Sequence, residues 1–171
     1  QMKNFLEFYS VSVPNGPLST KLQQLKKGDF INVSPNNNGF LILNEVPLID
    51  NIWMLATGTA IGPYLSILKT KDSWNNFKKV ILVHAVRYNN ELTYQETISD
   101  LKDIYGDRFI YVTYVSREDS ENSLTGRIPE SISKGVLEKK AGVKILPDNT
   151  HIMICGNPEM VQDTTIELKK I

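Results

Sequence analysis

From about residue 50 onward, the chain alternates short, nearly continuous apolar runs with stretches of mixed polarity. The runs lie at residues 52–57, 80–85, 109–115 and 151–155, and are rich in Ile, Val, Leu and aromatics. Runs this short, bounded by turn residues, read as strands, and apolar positions without alternation mark strands covered on both faces. Helical patterns fall between or after them, at residues 63–68, 92–105, 128–137 and 158–170. Strand and helix in alternation predict an α/β fold with a doubly wound parallel sheet. No internal repeat or low-complexity segment interrupts the pattern.

The first 45 residues have a different texture. Residues 6–13 alternate in part and are rich in β-formers, and Pro14-Asn15-Gly16-Pro17 is a turn. Residues 18–25 predict a short helix, which Ser19 or Thr20 would cap through its hydroxyl. Lys27-Gly28-Asp29 turns the chain into an extended run at 30–33, and residues 35–39 form a loop. Gln1 opens the chain almost directly on a strand pattern. That strand, without a preceding partner, reads either as the product of a cut inside a domain or as an edge strand at a true terminus. The expected organisation is the end of an antiparallel β-barrel domain at 1–45, followed by the α/β domain at 46–171.

Composition narrows the function classes. The 171 residues are 41% hydrophobic and carry no formal net charge. The length supports one good core or two small ones. Balanced charge offers no electrostatic case for nucleic acid or a membrane surface. No apolar run approaches the roughly 20 residues of a membrane span, and no charged-then-apolar leader is visible. The single cysteine, Cys155, excludes an intrachain disulfide and a cysteine-rich metal cluster. The expectation is a soluble, cytoplasmic protein without a metal.

In open α/β sheets, ligands bind beyond the carboxyl ends of the strands, so the residues following each run are the candidates. The first run leads into Ala56-Thr57-Gly58-Thr59-Ala60-Ile61-Gly62-Pro63-Tyr64. Small residues admit close backbone approach, and the helix after Gly62 offers free N–H groups to an anion. Thr57 and Thr59 add hydroxyls. The turn has neither Gly-x-Gly-x-x-Gly nor a P-loop lysine, and it reads equally as a tight strand–helix connection.

The second run ends in Val86-Arg87-Tyr88 and the third in Ser116-Arg117-Glu118, with Thr125-Gly126-Arg127 beyond. Arginine's planar fork holds phosphate in a bidentate way that lysine cannot copy. Arginines converging on one edge suit a monophosphate such as the 2′-phosphate of NADP; singly, each reads as ordinary solvated surface. The fourth run leads into Cys155-Gly156-Asn157-Pro158. Gly156 permits close approach, and Pro158 suits the first turn of a helix. No histidine neighbours Cys155 in sequence to activate the thiol. His84 and His151 sit within apolar runs and read as structural, with no ligand spacing around them.

These motifs, in this order, resemble the bacterial ferredoxin/flavodoxin–NADP reductases. The matching segments are Phe8 to Gly16, Trp53 to Tyr64, Val83 to Tyr88, Val115 to Glu118, Leu124 to Pro129 and Cys155 to Pro158. The Gly-Thr turn and the Cys-Gly-x-Pro motif belong to the wider superfamily; the three arginines are more specific to its NADP-using branch. The resemblance implies FAD held between a barrel and the α/β domain. It implies that Tyr9, Ser10, Val11 and Ser12, the turn Pro17-Leu18-Ser19, and Thr59 face the flavin nucleotide. Arg87, Arg117 and Arg127 fall on positions suited to the 2′-phosphate and adenosine end of NADP(H). Gly58, Val86, Ser116, Asn157 and Asp163 lie near the dinucleotide, and Cys155, the candidate catalytic residue, lies where nicotinamide approaches flavin.

The activity this implies is an oxidoreductase's: hydride transfer between NADP(H) and FAD, then single-electron transfer with flavodoxin or ferredoxin, in a monomer. Two family elements are missing from the sequence: the Arg-x-Tyr-Ser flavin motif and the C-terminal tail ending in an aromatic residue. Two other readings follow. One is an NADH-using reductase of the same superfamily, against which the arginine trio argues. The other is a catalytically silent NADP-binding module, which the missing flavin motif supports.

Overall fold

The computed structural model describes residues 5–36 and 39–171, so Gln1 and the centre of the predicted 35–39 loop lie outside it. The chain divides into two units, Gln1–Phe40 and Leu41–Ile171.

In the first unit the predicted short helix is present as α1 (Ser19–Gln24). Its capping differs from expectation. Leu18 occupies the N-cap, and no side chain caps the helix. The two hydroxyls close the preceding turn instead. Ser19 Oγ accepts from the Val13 amide at 3.1 Å, and Thr20 Oγ1 donates to the Gly16 carbonyl at 2.5 Å. Both are satisfied before the helix starts, so neither is left for its first turn. Residues 6–13 and 30–33 form no strand ladder among the described residues. A strand needs a partner for its backbone groups and a cover for its apolar face. Among the described residues of this unit neither segment has a paired strand, and Phe8, Phe30 and Phe40 stand exposed.

The second unit contains the predicted sheet. Its strands are β1 (Asn51–Thr57), β2 (Lys79–Val86), β3 (Phe109–Val115) and β4 (Thr150–Cys155). All neighbours are parallel, in the order β3-β2-β1-β4. β1 and β2 are buried almost throughout, which is why their apolar runs do not alternate.

The connections are helical. α2 (Ile61–Leu68) and α3 (Asp72–Asn76) lead to β2, and α4 (Gln95–Tyr105) leads to β3. α5 (Ile128–Ser133) and α6 (Val136–Ala141) precede β4, and α7 (Pro158–Leu168) follows it. Successive strand residues point to opposite faces. Trp53, Leu55, Ile81, Val83, Val112 and Tyr114 share one core with Ile128 and Ile132 of α5 and Leu137 of α6. Met160 and Leu168 of α7 pack against the same core.

Two local differences from the predicted pattern have plain causes. The helix expected over 128–137 is two helices, because Gly135 adopts φ +66° and breaks the turn between them. α3 has no counterpart in the predicted pattern. Its five residues are too few to show a helical period, yet Trp74 is buried and donates from Nε1 to the Leu68 carbonyl at 2.8 Å. Trp74 also stacks on Tyr105 of α4, with ring centroids 3.5 Å apart.

Candidate functional site

The chain leaves β1 toward β2 and β3 on one side and returns to place β4 on the other. The topological switch therefore lies between β1 and β4, where sheets of this kind open a crevice at their carboxyl ends. Two short turns border it. After β1, Gly58–Ala60 forms a single 3-10 turn that runs into α2. After β4, Cys155-Gly156-Asn157 leads into α7, with Pro158 in its first turn.

The two turns are locked together. Asn157 N donates to Thr57 Oγ1 at 2.8 Å, across the switch point. The Asn157 side chain accepts from the amides of Glu159 and Met160 and so caps α7. Gly156, at φ +141°, has no room for a side chain: a Cβ would lie 2.0 Å from Thr57 Oγ1 and 2.9 Å from Thr57 N. Gly58 is also in the left-handed region, at φ +53°, but faces open space.

The Gly58 turn is held from below by a histidine. His84 on β2 is fully buried, and its Nε2 lies 2.9 Å from the Gly58 carbonyl oxygen. The ring donates there, since a carbonyl can only accept. Burial holds His84 below the ordinary histidine range, against opposing pulls from that hydrogen bond and from Glu91. Its Nδ1 is left to accept from the Tyr111 hydroxyl, at 3.5 Å, and Gln95 Nε2 lies 3.3 Å from the same hydroxyl. Tyr64 of α2 is fully buried, and its hydroxyl has no hydrogen-bond partner among the described residues.

Cys155 ends β4 opposite Ala56 and is half-buried. Burial pushes its thiol up, so it is protonated at neutral pH and is no activated nucleophile. Val86 is buried, and its carbonyl accepts from both the amide and the hydroxyl of Ser116, at 3.1 and 3.2 Å. The Val86 side chain thus belongs to the core, and its backbone ties the β2 loop to the β3 loop.

Arg87 and Arg117 stand just past strand ends, as expected. Arg87 follows β2, Arg117 follows β3, and the Arg117 amide donates to the Arg87 carbonyl at 2.9 Å. Arg127 is placed by another route. Leu124 returns to pair with Tyr114 in an isolated parallel bridge beside the end of β3, and Arg127 follows it. All three side chains are exposed, and none forms an ion pair among the described residues. Arg127 opens onto a groove of about 350 Å³ between α5 and α7, whose lining includes Glu130, Asp163 and Ile166. Lys134, hydrogen-bonded to Glu130, holds that carboxyl below its usual range, and Arg127 adds a smaller pull. Arg127 and Asp163 are therefore brought together at one groove.

Tyr9, Ser10, Val11, Ser12, Pro17, Leu18 and Ser19 lie in the first unit, and Thr59 lies in the second. Within the first unit, the Ser19–Val13 hydrogen bond sets the 17–19 turn against the end of the 9–12 segment. Sequence reasoning missed Glu91 and Glu118, whose carboxylates accept from backbone amides of the Arg87 loop. The local spacing of Arg87 and Glu91 carried a weak signal for the first; the second contact joins residues far apart in sequence.

Residues 54–165 match the family model described as Oxidoreductase NAD-binding domain. The chain is 48% identical over 165 residues to a flavodoxin/ferredoxin–NADP reductase of Buchnera aphidicola from Schizaphis graminum, covering 96% of this chain and 64% of that protein. It is 48% identical over 159 residues to the enzyme of that name from Escherichia coli K12, covering 93% and 64%. The crystal structure of a ferredoxin NADP+ reductase from Neisseria gonorrhoeae with bound FAD and NADP superposes with TM-score 0.86 at 33% identity. That match covers 92% of this chain and 63% of the other. The chain thus spans a little under two thirds of the length of these relatives. No described helix is long and apolar enough to cross a membrane. The chain belongs to the oxidoreductase NAD-binding domain family.

Proposed function

We propose that this chain supplies the NADP(H)-binding part, and a portion of the FAD-binding part, of a reductase that exchanges electrons with flavodoxin or ferredoxin. The observation that carries this reading is the set of exposed guanidinium groups beyond β2, β3 and the Leu124 bridge, none of them in an ion pair among the described residues. Unpaired arginines on one sheet edge fit a phosphate monoester, because no carboxylate has to be displaced before the anion binds.

The switch point fits the rest of a dinucleotide. Gly156 lets the turn after β4 close on Thr57, Gly58 presents no side chain to the open space beside it, and the Thr57–Asn157 hydrogen bond joins the two turns. We assign Gly58, Ser116, Asn157 and the Val86 backbone to the neighbourhood of the dinucleotide. Arg87, Arg117 and Arg127 are assigned to its 2′-phosphate and adenosine end, with Asp163 across the groove. Tyr9, Ser10, Val11, Ser12, Pro17, Leu18, Ser19 and Thr59 are assigned to FAD.

Bound flavin and nicotinamide would supply the redox chemistry, a hydride transfer followed by single-electron steps. The protein's own groups bind, orient and exclude water. Cys155, a neutral half-buried thiol at the end of β4, is assigned a packing role beside the nicotinamide rather than a proton-transfer role.

The test uses a complete reductase carrying this segment. Arg117→Ala should raise KM for NADPH far more than KM for NADH. Equal effects on both would refute the 2′-phosphate assignment.

A further inference from the structure

The loops that carry Arg87 and Arg117 are rich in acid as well as base. Glu91 lies four residues after Arg87, and Glu118 lies directly after Arg117. Carboxylates this near to guanidinium groups would ordinarily pair with them and compete with an incoming phosphate. Here they do not. Glu91 Oε2 accepts from the Arg87 amide at 2.8 Å and from the Tyr88 amide at 3.2 Å. Glu118 Oε1 accepts from the Asn89 amide, and Asn89 Nδ2 lies 3.5 Å from the Asp119 carbonyl.

These bonds continue the sheet beyond its last residues. Ser116 N donates to Val86 O, then Arg117 N to Arg87 O, then Asn89 N to Glu118 Oε1. The two arginines thus leave adjacent, cross-linked backbones. One oxygen of each carboxylate is engaged by backbone amides, and both guanidinium groups are without an ion-pair partner among the described residues.

Resting on the 2′-phosphate reading above, we propose that Glu91 and Glu118 are positioning residues for NADP(H) selectivity. They fix the backbones from which Arg87 and Arg117 reach, and they pair with neither guanidinium group. Neither carboxylate touches the nucleotide.

The test is calorimetric binding of adenosine 2′,5′-bisphosphate and of AMP to this chain. The parent chain should prefer the bisphosphate, and Arg117→Ala should remove the preference. Glu91→Ala should weaken bisphosphate binding about tenfold, as expected for loss of a charge-assisted acceptor, while changing AMP binding by less than about twofold. Glu118→Ala should act in the same direction. Glu91→Gln should restore bisphosphate affinity, since an amide oxygen can accept the same two bonds, and this conservative variant keeps the test valid should Glu91→Ala fold poorly. Unchanged bisphosphate affinity in Glu91→Ala, equal weakening of both ligands, or failure of Glu91→Gln to rescue would overturn the inference alone. A parent chain with no preference for the bisphosphate would overturn the 2′-phosphate reading and this inference with it.

Discussion

Thr57 and Gly156 approach so closely that a methyl group on Gly156 would lie 2.0 Å from the threonine hydroxyl oxygen. The two residues stand at the carboxyl ends of neighbouring strands, so their contact locks together the two turns at the switch point.

Gly156→Ala should destabilise the chain by about 1–3 kcal/mol, as overpacking does, and weaken nucleotide binding alongside. Adding Thr57→Ala should recover only part of the loss. It removes the clash with Oγ1 but leaves the one with Thr57 N, at 2.9 Å, and the strained φ. Urea denaturation of the single and double variants measures this; full recovery in the double variant would show that the backbone contact is unimportant.

His84 links acid sensitivity to the Gly58 turn. Its pKa lies below the usual value in the folded state because of burial, so the folded chain resists a proton that the unfolded chain accepts from about pH 6.5 downward. The sign follows: stability from this group is full above that pH and falls as pH drops toward the folded pKa. His151, also lowered by burial, adds a share of the same sign. His84→Gln should flatten the slope of stability between neutral pH and pH 5.5 while keeping an N–H for the Gly58 carbonyl. His84→Leu should flatten it too, and cost about 1–3 kcal/mol for the carbonyl left unsatisfied. An unchanged slope in both variants would refute the assignment.

Arg87 and Arg117 should act as a unit. Each change to Ala should weaken 2′-phosphate binding by about 10- to 100-fold, in the range of a charge-assisted hydrogen bond. The double variant should lose less than the product of the two, because one phosphate shares both partners. Strictly multiplicative losses would place the two arginines on separate anions.

Cys155 should alkylate slowly. Its thiol lies above the usual range, so the thiolate fraction at pH 7.5 is small. Iodoacetamide should react more slowly with the native chain than with the urea-unfolded chain at the same pH. A native rate equal to or above the unfolded rate would contradict the assigned environment.

β1 and β2 were legible in the sequence because they are buried almost throughout. β3 begins and ends where its apolar run does, at Phe109 and Val115. Helix ends were less legible, since they rest on single residues. Gly135 splits one expected helix, and α4 starts at Gln95 because Tyr94 before it adopts φ 60°. The strand-end positions of Arg87 and Arg117 were legible from the apolar runs alone. Their support was not, because Glu118 reaches Asn89 across 29 residues and leaves no periodic trace. The capping of α1 was misread for a related reason: Ser19 and Thr20 have the right hydroxyls, but those bond backward into the turn.

The isolated bridge between Tyr114 and Leu124 has a consequence for solubility. β3 is an edge strand, and an open edge is a template for strands from other molecules. Leu124 N donates to Thr113 O, and Val115 N donates to Leu124 O, so the chain itself fills the last rungs of that edge. The segment that delivers Arg127 thereby also guards the carboxyl end of β3 against intermolecular pairing.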